Sequence, residues 1–420
     1  MNEAASPQLM RGLQLRQLGR FADAAGAFRE ALSADPYNDF AFHQLALCQL
    51  QMPEQKREAL GTIDQAIQLE PEDADHHVLK SFILVALDRP REALKSARQA
   101  LAIDPYLPPA FAGEAQAHLA LSDWPQAEAS ARQALALDPD FTVAANQLAH
   151  ALRLQNKLDE NAAQIAAMLA RNPDDADTHT SAGWSALQRG EHRQAETHFR
   201  EALRLEPGHE SARDGMLTSF RARSPFFRGY LRYVFFMQRI GANARWAVII
   251  GLYLGAKFIP LIVPGPLGIA IVALYLMFVL WVWVATAFGN FILLFDRFAR
   301  VVLRRDEKIE AVAVGGALSL GLVLVGIALA LKAPPFLIPG LALIASSFPL
   351  SMTFTNDAKA GAIASALVSA ATLSGGFFSG LDILWPSPMG PVASALFGCG
   401  LAGCLISTWL GNFRFFRKPR

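Results

Sequence analysis

Pro36, Pro71, Pro105, Pro139, Pro173 and Pro207 recur at intervals of 35, 34, 34, 34 and 34 residues. Each follows Asp, Glu or Asn, and each closes a segment of one pattern, as in QALAIDPYLPP (99–109) and EALRLEPGHES (201–211). A proline lacks the amide a helix needs and pushes the residue before it out of the helical region, so it ends the preceding helix. A fixed period of this size means that one supersecondary unit is copied and stacked. Small residues recur where paired helices must approach closely, with Gly12, Gly19, Ala24 and Ala31 in the first copy and Gly183, Gly190, Ala195 and Ala202 in the last. Phe28 and Phe199 occupy the matching large position.

Over about residues 5–210 this half resembles the tetratricopeptide repeat family, as six helix pairs. The second copy carries one extra residue near QMPEQ, and the fifth has Asn161 and Met168 where alanines are usual. The resemblance implies an α-solenoid whose concave groove is lined by the first helix of each pair, a fold that binds peptides or helices. Mapped onto this chain, the groove positions are Phe40, His43, Val78, Phe82, Gln116, Leu119, Asn146, His150, Arg153, Thr180 and Trp184. The Lys and Asn cluster with which some family members grip acidic chaperone tails is missing. Phe82 and Trp184 have two readings, as groove anchors or as packing between neighbouring repeats.

A charge asymmetry divides the chain. Residues 1–210 carry 30 acidic and 19 basic side chains, whereas 211–420 carry 7 and 19. An acidic array steers basic or amphipathic partners towards itself. Only beyond Trp246 do nearly charge-free runs of bilayer-spanning length occur. They predict six spans, at about 246–263, 267–291, 311–331, 336–354, 360–381 and 391–412, so the chain reads as all-α, a solenoid followed by a polytopic helical membrane domain. Pro339 and Pro349 make the fourth of these the candidate for a re-entrant segment. The first 45 residues have no basic start leading into an apolar core, so no secretory signal is expected. Lys and Arg concentrate in 221–245, 295–310 and the tail 413–420. An even number of spans puts all three on one side, which predicts an inner (plasma) membrane of bacterial type with both termini cytoplasmic.

The stretch FFRGYLRYVFFMQRIGANARW (226–246) lies where the two halves meet. At 100° per residue, Arg228, Arg232 and Arg239 share a narrow sector, while Tyr230, Tyr233 and Phe236 belong to a broad aromatic face. That pattern suits a helix lying in the membrane interface after a capping helix at about 209–222. Its rival is a helix packed on the bundle, and nucleic-acid binding would need a more basic, polar surface.

Catalysis is not expected. All nine histidines lie at or before His209, leaving the membrane half without a zinc ligand or a Ser–His base. Cys48, Cys399 and Cys404 support neither a disulfide framework nor a metal site, and no cofactor is expected. Lys257 is the one deep intramembrane cation, placed to snorkel. Small residues line several spans, with Ala395, Cys399, Gly403, Ser407 and Gly411 in the sixth, Gly376 and Gly380 in the fifth, and Gly315, Gly316, Gly321 and Gly326 in the third. They serve either packing within the chain or a homo-oligomer. The expected function is a membrane adaptor that offers a cytoplasmic groove to a protein or peptide. The alternative is a small-solute channel or transporter with a regulatory array.

Overall fold

A computed structural model describes residues 7–355, 359–385 and 390–410. All regular structure among them is helical. The chain divides into two compact units. The first holds residues up to Ala212 together with Phe235–Trp246, and the second holds Arg213–Val234 and everything from Ala247.

In the first unit helices alternate as pairs: α1 (Pro7–Gln17) with α2 (Phe21–Ala34), α3 (Asp39–Gln51) with α4 (Lys56–Leu69), α5 (Ala74–Ala86) with α6 (Pro90–Ile103), α7 (Pro108–Ala120) with α8 (Trp124–Leu137), α9 (Thr142–Leu154) with α10 (Leu158–Arg171), and α11 (Ala176–Arg189) with α12 (His192–Leu205). Every second helix stops two residues before its proline. The residue between turns extended and still donates its amide back into the helix, as Asp104 does to Ala100 O and Glu206 to Ala202 O. Asn38, Asp73 and Asp175 cap the following first helices through their side chains.

Within a pair, volume is shared between facing positions. A side chain at Gly12 or Gly183 would fall 2.6 Å from the ring of Phe28 or Phe199, so glycine faces phenylalanine at both ends of the array. Further in, Ala46 meets Ile63, Ala115 meets Ala131, and Ala149 meets Ile165. Gly19 and Gly190 serve a different purpose from the close approach expected of them. Nothing lies within 4 Å of either, and their φ values of 71° and 85° are left-handed. Asp88, Ser122 and Asn156 take the same left-handed turn position without being glycine. In the second pair the extra residue is taken up by a 3₁₀ turn, Pro53–Gln55, in place of that turn.

The second unit takes in most of α13 (Glu210–Arg221) and the first part of α14 (Pro225–Arg239). It continues through α15 (Ala242–Ile262), α16 (Pro266–Leu293), the short α17 (Ala299–Val302), α18 (Arg305–Ala330), α19 (Leu337–Thr355), α20 (Lys359–Leu384) and α21 (Gly390–Leu410). Among the described residues four helices are long and apolar enough to cross a membrane: Pro266–Leu293, Arg305–Ala330, Pro334–Phe354 and Gly361–Leu384. Gly390–Cys404 is a shorter apolar helix. The array is thus followed by several long apolar helices, and the protein is a multi-pass membrane protein. α19 runs unbroken through Pro349. Residues 386–389 and 411–420 lie outside the described residues.

Glycines bring these helices close. Gly321 meets Gly340 backbone to backbone, Gly315 lies under Phe291, Gly376 against Ala342, and Gly380 against Pro339. Gly375 and Gly400 lie against Phe397 and Thr372 respectively. In α21 the contact face is therefore offset from the expected stripe, because Ala395 and Cys399 are exposed. Of that stripe Gly403 touches Val368, the side chain of Ser407 is not described, and Gly411 lies outside the described residues.

Candidate functional site

A cavity of about 880 Å³ opens on the array between α7 and the start of α13. Gln116 and Leu119 come from α7, Asn146, His150 and Arg153 from α9, and Thr180 and Trp184 from α11. They reach one wall because residues one helical turn apart on successive first helices point the same way. Gln147, Ser181, Asp177, His209, Ser211 and Gln238 are among the rest of the lining. None of these six was anticipated; recurring polar residues beside the expected positions were the available signal.

Hydrogen bonds fix most of this surface. Ser181 donates to Asn146 Oδ1 at 3.0 Å, Gln147 to Gln116 Oε1 at 3.2 Å, and Trp184 Nε1 to Ser211 at 3.2 Å. Trp184 stands edge-on to Phe199, so one side of the indole is anchored in the core. Arg153 donates to Gln188 Oε1 at 3.4 Å, and among the described residues it makes no ion pair. Burial lowers its pKa to about 10, so it remains a cation at neutral pH. Burial, and then Arg153, hold His150 below the usual imidazole range, although its surface stays open to the cavity. A neutral His150 beside a charged Arg153 results. Thr180 and Leu119 are buried, and the Thr180 hydroxyl is used by Ala176 O, so these two contribute shape more than bonding.

The other expected groove residues do not join the cavity. Val78 is 6 % exposed and packs with Ala100 and Ala110, with Phe82 against the same cluster. Val78 belongs to the core between repeats and Phe82 packs against it, because α5 has neighbours on both sides and little free face remains. Phe40 is exposed by itself. His43 Nδ1 lies 3.1 Å from His76 Nδ1, and His76 Nε2 lies 3.2 Å from Asp39. The proton arrangement that satisfies this relay has His43 donating to His76 and His76 donating to Asp39.

Burial first, and then His76, push the His43 pKa down to about 4. The unfolded chain therefore takes up a proton near pH 6.5 that the folded chain refuses until about pH 4. The stabilisation is complete above pH 6.5 and is lost as the pH falls through that window, by up to about 3 kcal/mol. Denaturation of the wild type and His43→Gln at pH 7 and pH 4.5 should show a shallower loss in the variant.

Asp39, Asp73 and His76 also bring ligand-type atoms within 4.8 Å of one another. However, Asp73 caps the amide of Asp75, and Asp39 opens α3. The positive ends of two helices converge there and oppose a cation.

Near the membrane, the stripe residues separate. Tyr230 and Tyr233 pack edge-on to Trp281 and Phe278 of α16. Phe236 is 53 % exposed, Arg228 and Arg232 are exposed, and Arg239 is partly buried with its carbonyl accepting from Trp124. The two tyrosines are bundle contacts. Lys257 is exposed, with its Nζ 5.9 Å from the neighbouring Phe258 ring. Among the described residues the buried acid of this unit is Glu310, which accepts from Ser351 at 2.6 Å. Counted within a basic link, it had given no sign of burial. Arg213 pairs with Glu307 at 3.0 Å, and Arg221 donates twice to Asn290 Oδ1, at 2.9 and 2.7 Å.

Residues 8–48 and 113–176 match the family model for the tetratricopeptide repeat. The N-terminal half is a tetratricopeptide repeat array. The C-terminal region matches no named family. No curated protein matches the chain.

Among solved structures, PilW, described as a widely conserved type IV pilus biogenesis factor, is 21 % identical. That match covers 51 % of this chain and 99 % of PilW, with a TM-score of 0.43. A tetratricopeptide repeat protein from Parabacteroides merdae is 17 % identical over 51 % of this chain and 85 % of its own, with a TM-score of 0.45. PilF from Pseudomonas aeruginosa is 19 % identical over 51 % and 96 %, with a TM-score of 0.40. At these values the likeness carries no argument about function. No catalytic constellation is evident among the described residues of the repeat array or of the membrane unit.

Proposed function

We propose that the protein is a membrane-anchored adaptor whose tetratricopeptide groove captures a segment of a partner protein. The observation that carries this reading is the cavity between α7 and α13, where an anchored indole, an amide and a cation converge. Trp184 offers an aromatic wall, and Asn146 offers an amide for the partner's backbone. Among the described residues the Arg153 guanidinium has only an amide for a partner, and it favours a carboxylate on the captured segment. The acidic balance of the array favours basic flanks. An amphipathic segment carrying both signs meets these demands. The basic segments 221–245 and 295–310 support a cytoplasmic array on an inner membrane of bacterial type.

For the channel or transporter reading, Lys257 is exposed, and among the described residues the buried acid of the bundle is Glu310. That carboxyl accepts from the Ser351 hydroxyl between α18 and α19, which ties it to the packing of the bundle.

The test is capture with the full-length chain in mild detergent, followed by identification of the partner and titration. Trp184→Ala and Arg153→Gln should each weaken binding by about 2 kcal/mol, roughly thirtyfold, with little change in melting temperature. Phe82→Ala should lower the melting temperature and leave binding by the folded fraction intact. If Trp184→Ala behaves as Phe82→Ala is expected to, the groove assignment fails.

A further inference from the structure

A second, smaller cavity of about 170 Å³ lies within the membrane unit, at the end of α16. Arg221, Arg223 and Ser224 supply its polar wall, and Phe226, Phe227 and Ile292 are among its apolar lining. We propose that this cavity holds the phosphate of an anionic membrane lipid, with the lipid's chains leaving along Phe226 and Ile292. The proposal rests on α16 crossing the bilayer and is independent of the groove.

Three observations converge on an anion. The Arg221 guanidinium uses Nε and Nη2 on a single neutral oxygen, Asn290 Oδ1, and among the described residues Nη1 has no hydrogen-bond acceptor. Its aliphatic stem lies on Gly289, and its charge faces the ring of Phe227 at 5.8 Å. Glu307, Asp214 and Glu310 act on Arg221 through space, but among the described residues none of them hydrogen-bonds it, so Nη1 stays available to a phosphate oxygen.

Arg223 stands 4.7 Å over the Phe220 ring and pairs with Asp296 at 3.1 Å. Asp296 is the one acid among the residues lining the cavity. Its charge is already met by the amides of Phe298 and Ala299 and by Arg223, so it does not cancel Arg221. Ser224 and the first turn of α14 complete the wall, where helix amides have no partner inside the helix and an anion is favoured.

The cavity volume admits a headgroup and not a whole lipid. The apolar residues beside the charged wall supply what a free phosphate does not need, namely a surface for acyl chains. A soluble phosphate ester would meet the same arginines but would gain nothing from Phe226 and Ile292. That difference selects a lipid as the occupant.

The test uses the full-length chain, delipidated in a nonionic detergent. The probes are a fluorescent phosphatidylglycerol, its phosphatidylcholine counterpart, and inorganic phosphate as a competitor. Saturable phosphatidylglycerol binding is expected, about tenfold or more tighter than phosphatidylcholine and not displaced by phosphate. Arg221→Gln should weaken it by about tenfold, the loss of one charge-assisted contact. Arg223 is exposed, so Arg223→Gln provides a second reading if Arg221→Gln does not fold. Arg228→Gln with Arg232→Gln should leave the saturable site unchanged. A photoactivatable phosphatidylglycerol should label peptides containing 220–227 or 289–296. Equal binding of the two lipids, no effect of either cavity variant, labelling elsewhere, or full displacement by inorganic phosphate would each overturn the proposal.

Discussion

Phe199→Ala is expected to destabilise the repeat array by about 4 kcal/mol, because the ring is fully buried and its removal leaves a cavity. The partner of that ring makes a sharper experiment possible. Gly183→Ala puts a methyl 2.6 Å from the ring, which costs about 1–3 kcal/mol through overpacking. Phe199→Ile alone leaves a gap. The double variant Gly183→Ala with Phe199→Ile recreates the pairing of Ala149 with Ile165 one repeat earlier. It should therefore be more stable than the sum of the single changes implies, by about 1 kcal/mol or more. Urea denaturation of the four proteins measures this coupling. Strict additivity would mean that the two positions do not share one volume.

Gly375→Ala should be the most damaging single methyl in the membrane unit. The added carbon would lie 2.8 Å from the Cα of Phe397 and 2.9 Å from the carbonyl carbon of Leu396. These are backbone atoms, so no side chain can rotate out of the way and α20 must move off α21. Lipid supplies no hydrophobic force to draw the helices back together, and the lost dispersion contacts are not replaced. A loss of about 3 kcal/mol is expected. Gly398→Ala in α21 is the control, because nothing lies within 4 Å of that glycine. It should be neutral or slightly stabilising through better helix propensity. Thermal unfolding in detergent compares the two, and equal melting temperatures would remove the close approach as an explanation.

The repeat period was legible because a proline can stand in few places relative to a helix, and a period repeated six times leaves no freedom of register. The close approach at Gly12 and Gly183 was legible through Phe28 and Phe199. What a linear pattern does not resolve is which side of a crowded helix stays open. α5 buries Val78, Leu79, Ser81, Ile83 and Leu84. A rotation of one residue, 100°, separates core from groove there, so spacing alone puts buried Val78 on the same face as Phe82, for which the sequence left groove and packing both open. Glu310 was hidden for a related reason. It sits in the second turn of α18, and whether that turn is wet depends on Ser351, which is 41 residues away. Tyr230 and Tyr233 had an aromatic face that suits lipid and protein equally, and only the presence of Trp281 and Phe278 decides between them.

The 3₁₀ turn at Pro53–Gln55 bears on how such an array tolerates change in its own length. One residue more than in the other pairs has been accommodated there, yet α4 is 14 residues long, as α6 and α8 are. Because each repeat touches only its neighbours, a local surplus of chain need not pass down the stack. The groove downstream keeps its register, with α7, α9 and α11 all contributing to one cavity. The array therefore has a seam at which chain length is negotiable, far in sequence from both Arg153 and the membrane. Inserting or deleting one residue at that seam should leave the register of the downstream cavity unchanged.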